Sequence, residues 1–321
     1  MAGIGIVNNP RSRRNLRRPG TAARLRTILG GDGEVVDAST PDELDRAVER
    51  FRGAGIELLG IHGGDGTAHY VLSAFARAFG AEPLPAVALL PGGGMNTVAR
   101  GSGVRGSPEA VLERIVARRR AGLPQPAVER DLLAVEADDG PALHGFLFGT
   151  GCAVAFLEAY YASPDPSPAR AAILAARAVL SALVGGRFAR ALARREPIEV
   201  LADGERWPKG DYLTVLAGSS PELGLGFRPF ARCDEQPGFF HAVGVTGSAY
   251  RLALSAPRIR LGWPWKRRVA MDAVVRELRL EPRAPIRFNL DGDLYRAERS
   301  LRLWTGPALR LLADRGAARP R

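Results

Sequence analysis

The chain has 321 residues, 46% apolar and 25% charged, which describes a globular protein with a substantial core and room for two domains. Two cysteines, Cys152 and Cys233, exclude a disulfide framework or a cysteine metal cluster, and no run reaches the roughly 18 to 20 apolar residues that span a bilayer. The opening MAGIGIVNNP lacks the basic and apolar regions of a signal peptide, so a cytoplasmic protein is expected. The formal charge of +11 is almost wholly arginine, with lysine only at Lys209 and Lys266. It suits phosphate-rich substrates, anionic lipid surfaces or nucleic acid, and equally a genome rich in Arg and Ala codons.

Gly3 to Val7 is a short apolar strand that feeds Asn8, Asn9, Pro10, Arg11 and Ser12. An Asn-Pro turn at a strand end followed by five arginines up to Arg18 reads as a phosphate loop or as a solvated helix face, with the helix continuing to Leu29. Glu34 to Ala38 is a second strand. Thr40-Pro41-Asp42-Glu43 is a helix start with Thr40 as N-cap, Pro41 at the first helical position and Glu43 closing a capping box. The apolar run Ile56 to Ile61 ends in Gly63, Gly64, Asp65, Gly66 and Thr67 before helical spacing resumes to Phe79. Strand, glycine turn and helix start would bring unpaired N–H groups and a positive helix end to one place, where a phosphate could sit. Asp65 beside phosphates calls for a cation, so a divalent metal held by Asp65 is expected, although Asp is also an ordinary residue at a helix start. Pro85 to Leu90 and the following Gly92, Gly93, Gly94 and Asn96 repeat the arrangement, and ligands of open α/β sheets bind at strand carboxyl ends. Ser107-Pro108 starts a basic helix that ends near Arg120.

After a linker at Leu123 to Pro126 the periodicity changes. AVERDLLAVEA, HGFLFGTG, PIEVLADG, YLTVLAG, FFHAVGV, ELRLEP and IRFNLDGDLY are short strand-like runs separated by Gly, Pro and Asp turns, interrupted by one helix from about Pro168 to Arg194. The fold class expected is therefore α/β plus all-β. An N-terminal parallel α/β domain, 1–127 with 301–321, is expected to join a C-terminal β-rich domain, 128–300.

In their order and spacing these motifs resemble those of the bacterial diacylglycerol and lipid kinase catalytic-domain family, related in fold to NAD kinase and phosphofructokinase, which implies that 1–127 with 301–321 form a nucleotide-binding domain and 128–300 a β-sandwich-like acceptor-binding domain. NNPRS is similar to the family's NPxS loop, which implies nucleotide contacts for Asn9, Pro10 and Ser12. GGDGT is the family's central motif and LPGGGMNTVAR resembles its second glycine loop, LPxGTxNDxAR; Thr40 falls where the family places a nucleotide-contacting threonine. LDGD at Leu290 to Asp293 resembles the DGE motif, which implies Asp291 as base and Asp293 as its helper. Taken alone, Asp-Gly between alternating runs is a hairpin turn. The chain departs from the family at Arg13, Gly94, Thr97 and Asp293. PGFFH stands where some members carry DGLLD, so the structural magnesium of those members is not expected.

The resemblance implies an ATP- and Mg²⁺-dependent transfer of the γ-phosphoryl group to a hydroxyl of diacylglycerol or a related lipid. A soluble acceptor such as NAD or a polyol, or a non-catalytic nucleotide-binding protein, remains the alternative. Trp263 to Arg268, aromatic rings beside cations, reads as an interfacial patch or as part of a β-domain core. The expected partner is a lipid substrate at the inner face of the membrane, with peripheral association and a homodimer admitted and nucleic acid not expected. His62 and His69 read as surface or supporting groups, and His144 and His241 as structural.

Overall fold

A computed structural model of the protein describes residues 3–164, 166–208 and 210–313. The chain divides into two compact units, one running to Arg130 and resuming at Pro307, the other comprising Asp131–Gly306. Residues 1–2 and 314–321 of the expected first domain lie outside the described residues.

The first unit is a parallel α/β domain. Its elements are β1 (Ile4–Asn8), α1 (Arg13–Arg17), α2 (Thr21–Leu29), β2 (Gly33–Asp37), α3 (Pro41–Gly53), β3 (Leu58–Gly63), α4 (Asp65–Phe79), β4 (Ala86–Pro91), α5 (Thr97–Gly101) and α6 (Pro108–Arg120). The strands lie in the order β4-β3-β1-β2, all parallel, and β1 and β3 are buried along their whole length. That burial is why they read as continuous apolar runs rather than alternating ones. The single helix expected from Arg11 to Leu29 is instead two. Pro19 disfavours helical backbone at Arg18, and Gly20 takes φ +90 before α2 begins.

The second unit is an antiparallel β-sandwich. Its strands are β5 (Ala127–Ala137), β6 (Leu143–Gly145), β7 (Leu147–Thr150), β8 (Glu196–Ala202), β9 (Glu205–Arg206), β10 (Asp211–Tyr212), β11 (Thr214–Gly218), β12 (Phe240–Val245), β13 (Ala270–Val275), β14 (Glu277–Pro282), β15 (Ile286–Leu290), β16 (Asp293–Ala297) and β17 (Leu301–Leu312). One sheet has the order β13-β12-β11-β7-β15-β16; the other runs β10-β8-β14-β17, with β5 pairing β17 and β6. Leu133, Phe148, Val200, Tyr212, Phe240 and Leu278 belong to the core they enclose. Strand β14 shows the rule: Leu278 and Leu280 point in, Arg279 and Glu281 out. Strand β17 begins in this unit and ends in the first, where Leu311 pairs in parallel with Val87 of β4.

Instead of the one helix expected here the described residues form five: α7 (Cys152–Tyr161), α8 (Pro168–Leu183), α9 (Arg187–Leu192), α10 (Ala249–Leu254) and α11 (Ala256–Arg260). Gly185 and Gly186 divide the expected long helix into α8 and α9. Helix α7, CAVAFLEAYY, is apolar almost all round, and so short an apolar run carries no period that separates helix from strand. Among the described residues no helix is long and apolar enough to cross a membrane.

Candidate active site

Strands β1, β3 and β4 are neighbours and end at one edge of the first sheet, with Asn8 opposite His62 and Gly63 opposite Pro91. Their exits are joined through backbone. Asn9 N–H donates to His62 O at 3.0 Å, Gly92 N–H to Gly63 O at 2.7 Å, and Arg14 N–H to Gly92 O at 2.9 Å. The two glycine loops lie back to back. A Cβ on Gly93 would fall 2.4 Å from the Cα of Gly64, so glycine is required there by packing alone.

Side chains then fix the loops. Asn9 Nδ2 donates to Thr67 Oγ1 at 2.9 Å, and Asn9 Oδ1 accepts from Arg11 N–H at 2.9 Å. Ser12 is buried and caps α1 by accepting from Asn15 N–H; Pro10 is exposed between them. Asn96 holds φ +49 and folds its loop onto itself, its Oδ1 accepting from Gly93 N–H at 2.9 Å and its Nδ2 donating to Gly93 O at 3.1 Å. Gly94 lies in the bend of that loop and Gly66 in the first turn of α4. Thr40 is outside this bonded set. It caps α3, and Glu43 accepts from Ser39 and Thr40 N–H in the expected capping box. Those bonds hold the Glu43 carboxyl below its usual range, the Ser39 amide contributing most.

Four helices leave this edge, and three have their N-termini closed by a side chain: α1 by Ser12, α3 by Thr40 and α5 by Asp65. Asp65 is the first residue of α4, but its carboxylate reaches the start of α5 and accepts from Thr97 N–H at 3.0 Å and Val98 N–H at 3.2 Å. Burial pushes its pKa up, and the amides of Thr97 and Val98 oppose that rise. The carboxylate expected to hold a divalent ion is thus engaged as a helix cap, and the described residues contain no group of three or more His, Cys, Asp or Glu that could hold a metal. Helix α4, capped by Gly64, has no side-chain acceptor at its start. Its first N–H groups and its positive dipole end therefore suit an anion.

Behind the loops is a polar layer that the motifs alone do not reveal. His62 is fully buried, with Nδ1 2.6 Å from Asn8 Oδ1. Asn8 Nδ2 donates to Asp37 at 2.6 Å, and Asn15 Nδ2 donates to Asn8 Oδ1 at 2.9 Å. Because Asn8 Oδ1 can only accept, Nδ1 carries the proton and Nε2 is left as a buried atom without a partner. Burial first, and the nearby Arg14 charge second, bring the imidazole pKa down to about 4. The sequence offered only the Asn8-Asn9 doublet as a signal, with nothing to say which of the two faces inward.

In the second unit Asp291 and Gly292 form a two-residue hairpin loop between β15 and β16, with φ +49 and +96, the signature of a type I′ turn. Asp291 is buried and accepts from Phe146 N–H at 3.0 and 3.1 Å and from Leu147 N–H at 2.9 Å. Asp293 opens β16, and Tyr161 Oη donates to Gly292 O. His241, in the segment that replaces DGLLD, is buried with Nε2 3.0 Å from Asp272, which also pairs with Arg232. Burial pushes the Cys152 thiol up to about 12, which leaves it inert as a nucleophile.

Comparison with known proteins bears on both units. Residues 4–123 match the model of the diacylglycerol kinase catalytic domain. Comparison with curated proteins returned no match. The chain is similar in fold to a putative diacylglycerol kinase from Bacillus anthracis str. Sterne, at TM-score 0.68 and 16% identity over 97% of each chain. Two further structures from that organism, described as a diacylglycerol kinase and a putative one, match at TM-score 0.64 and 14% identity, again over 97% of each chain. The chain as a whole thus has the fold of these structures, and its residues 4–123 match a catalytic domain of the phosphotransferase type.

Proposed function

We propose that the protein is an ATP-dependent lipid kinase that transfers the γ-phosphoryl group to a hydroxyl of diacylglycerol or a related lipid. The observation that carries this reading is the open N-terminus of α4 between two glycine loops, while the other helices at that edge are closed by side chains. Phosphate oxygens would accept from the N–H groups at the start of α4, and Asn9 and Thr67 would set the wall of the cradle. Magnesium would enter as the metal–nucleotide complex and neutralise phosphate charge, since Asp65 is turned to α5. Asp65 then acts as a positioning residue that ties the first loop to the second. The lipid acceptor follows the description of the matched catalytic domain and the names of the structures of similar fold. Asp291 is assigned as acceptor of the hydroxyl proton and Asp293 as its orienting partner, on the likeness of LDGD to the DGE motif.

A radiolabelled ATP assay against diacylglycerol, sphingoid bases, phosphatidylglycerol, NAD and simple polyols tests the reading; label should enter a lipid. Asp291→Asn should lower turnover by about 10² to 10⁴-fold, the usual contribution of a general base, with nucleotide affinity unchanged. Labelling of soluble acceptors alone would reject the lipid assignment. Full turnover in a folded Asp291→Asn variant would remove Asp291 from the chemistry.

A further inference from the structure

Helix α8 departs from the usual pattern of a surface helix in being apolar on its exposed side as well as its covered one. Its exposed face carries Ile173, Leu180 and Leu183, with Val184 at its C-cap, among alanines and Arg177, and Ile173, Leu180 and Val184 are 61%, 65% and 82% exposed. A helix on a soluble surface carries its polar residues on that side. The stripe does not stand alone. Helix α8 packs against α9 and α10, sharing a small core of Ala182, Ala189 and Ala253, and α10 runs on into α11. Beyond them Tyr250, Leu254, Leu261 and Trp263 are each about half exposed or more.

The same segments are wholly free of acids. Residues 166–195 contain six arginines, residues 248–268 contain five arginines and a lysine, and neither stretch has an Asp or Glu. Of these cations Arg195 has a carboxylate near it, Asp211 at 3.9 Å, while others turn to carbonyls or rings: Arg190 to Gly185 O, Arg258 to Pro264 O and Arg177 over Phe188. Elsewhere in the chain arginine is commonly matched, as in Arg14 with Glu109, Arg50 with Glu34 and Arg120 with Asp32.

We infer that the α8–α11 helices of the second unit are a docking face for an anionic lipid surface, into which the aliphatic side chains insert while the cations meet headgroups. Exposed aliphatic side chains ringed by basic residues and Trp are what the bilayer interface selects. Nucleic acid would use the cations but not Ile173, Leu180 and Val184, and a second copy of the same face would bring like charges together. Trp265 is excluded from the face, because its Nε1 donates to Pro229 O and its ring is half-buried. The inference deepens the lipid reading above, but vesicle binding and phosphoryl transfer are separate measurements.

Vesicle sedimentation with the full chain tests it. Wild type should bind vesicles of phosphatidylcholine mixed with phosphatidylglycerol and bind pure phosphatidylcholine far more weakly, with salt reducing the difference. Ile173→Glu with Leu180→Glu should lower binding by about tenfold or more while the melting temperature holds, since both sites are exposed. Arg251→Gln with Arg267→Gln and Arg268→Gln should cost up to about fivefold per residue at low salt. Equal binding to both vesicle types, unchanged binding in both variants, tighter binding to duplex DNA than to vesicles, or a dimer that the Glu variant dissociates would each overturn the docking face. Short-chain diacylglycerol dissolved as monomer separates the two readings. Its phosphorylation by a protein that ignores vesicles removes the face and spares the kinase; vesicle binding without transfer to any lipid does the reverse.

Discussion

Among the Asp-Gly turns that accept backbone N–H groups from a distant segment, those at Asp65 and Asp291 work in opposite ways. At Asp65-Gly66 the carboxylate leaves its own helix to close α5, so the donors at the start of α4 stay open. At Asp291-Gly292 the carboxylate takes the donors of Phe146 and Leu147, and the turn binds two strands together. The first turn is packed backbone against backbone, Gly93 on Gly64. In the second a side chain meets glycine, the Cβ of a substituted Gly145 falling 2.7 Å from Asp291 Oδ2. One dipeptide thus starts a helix or closes a hairpin according to its flanks, and only the helix start leaves unpaired donors for a ligand.

Gly93→Ala and Gly145→Ala should separate the two turns by the widest margin. A methyl 2.4 Å from a backbone atom cannot be accommodated by a rotamer change, whereas a carboxylate can swing aside at the loss of its amide bonds. Gly93→Ala should therefore abolish measurable nucleotide binding by calorimetry and lower stability by about 3 kcal/mol or more, with Gly145→Ala milder on both counts. Equal losses would show that the two turns are built alike.

Acid should separate them next. His62 has a folded pKa of about 4 against an ordinary value of 6.5, so the unfolded chain takes up the proton first. Its contribution is complete above about pH 6.5, falls as pH drops through the window from 6.5 to 4, and is constant below, a loss of about 3 kcal/mol in all. Urea midpoints across that range should fall accordingly, and His62→Gln should flatten the slope. An unchanged slope would mean that acid sensitivity resides elsewhere.

The smallest effect is expected at Thr40. Thr40→Ala removes the cap of α3 and should cost about 1 kcal/mol in thermal unfolding without altering nucleotide affinity. A drop in affinity would bring Thr40 back into the site and widen the first turn's reach.

What the sequence disclosed depended on whether the signal was local. The capping box at Thr40 and the glycine loops after β3 and β4 are short patterns whose meaning is fixed within a few residues, and each is where it was expected. The alternating strands of the second unit were legible for the same reason. The direction of Asp65 was not, because its partners lie on α5, beyond an intervening helix and strand, and no local pattern encodes that bond. Helices α7, α10 and α11 escaped because they are short and, in α7, apolar on most sides. The inward turn of Asn8 beside the outward Asn9 follows from strand alternation only once the end of β1 is known.

Strand β17 has a consequence for how the protein is made. Its last residues pair with β4, and Leu309 and Leu311 are fully buried, so the first unit is unfinished until a segment synthesised after the entire second unit has arrived. Folding on the ribosome would normally proceed from the N-terminus, domain by domain. Here β4 must wait on the growing chain with one edge unpaired, a ready template for the wrong strand. The nascent first unit is thus the species most exposed to aggregation, and the arrival of β17 is the step that completes its sheet.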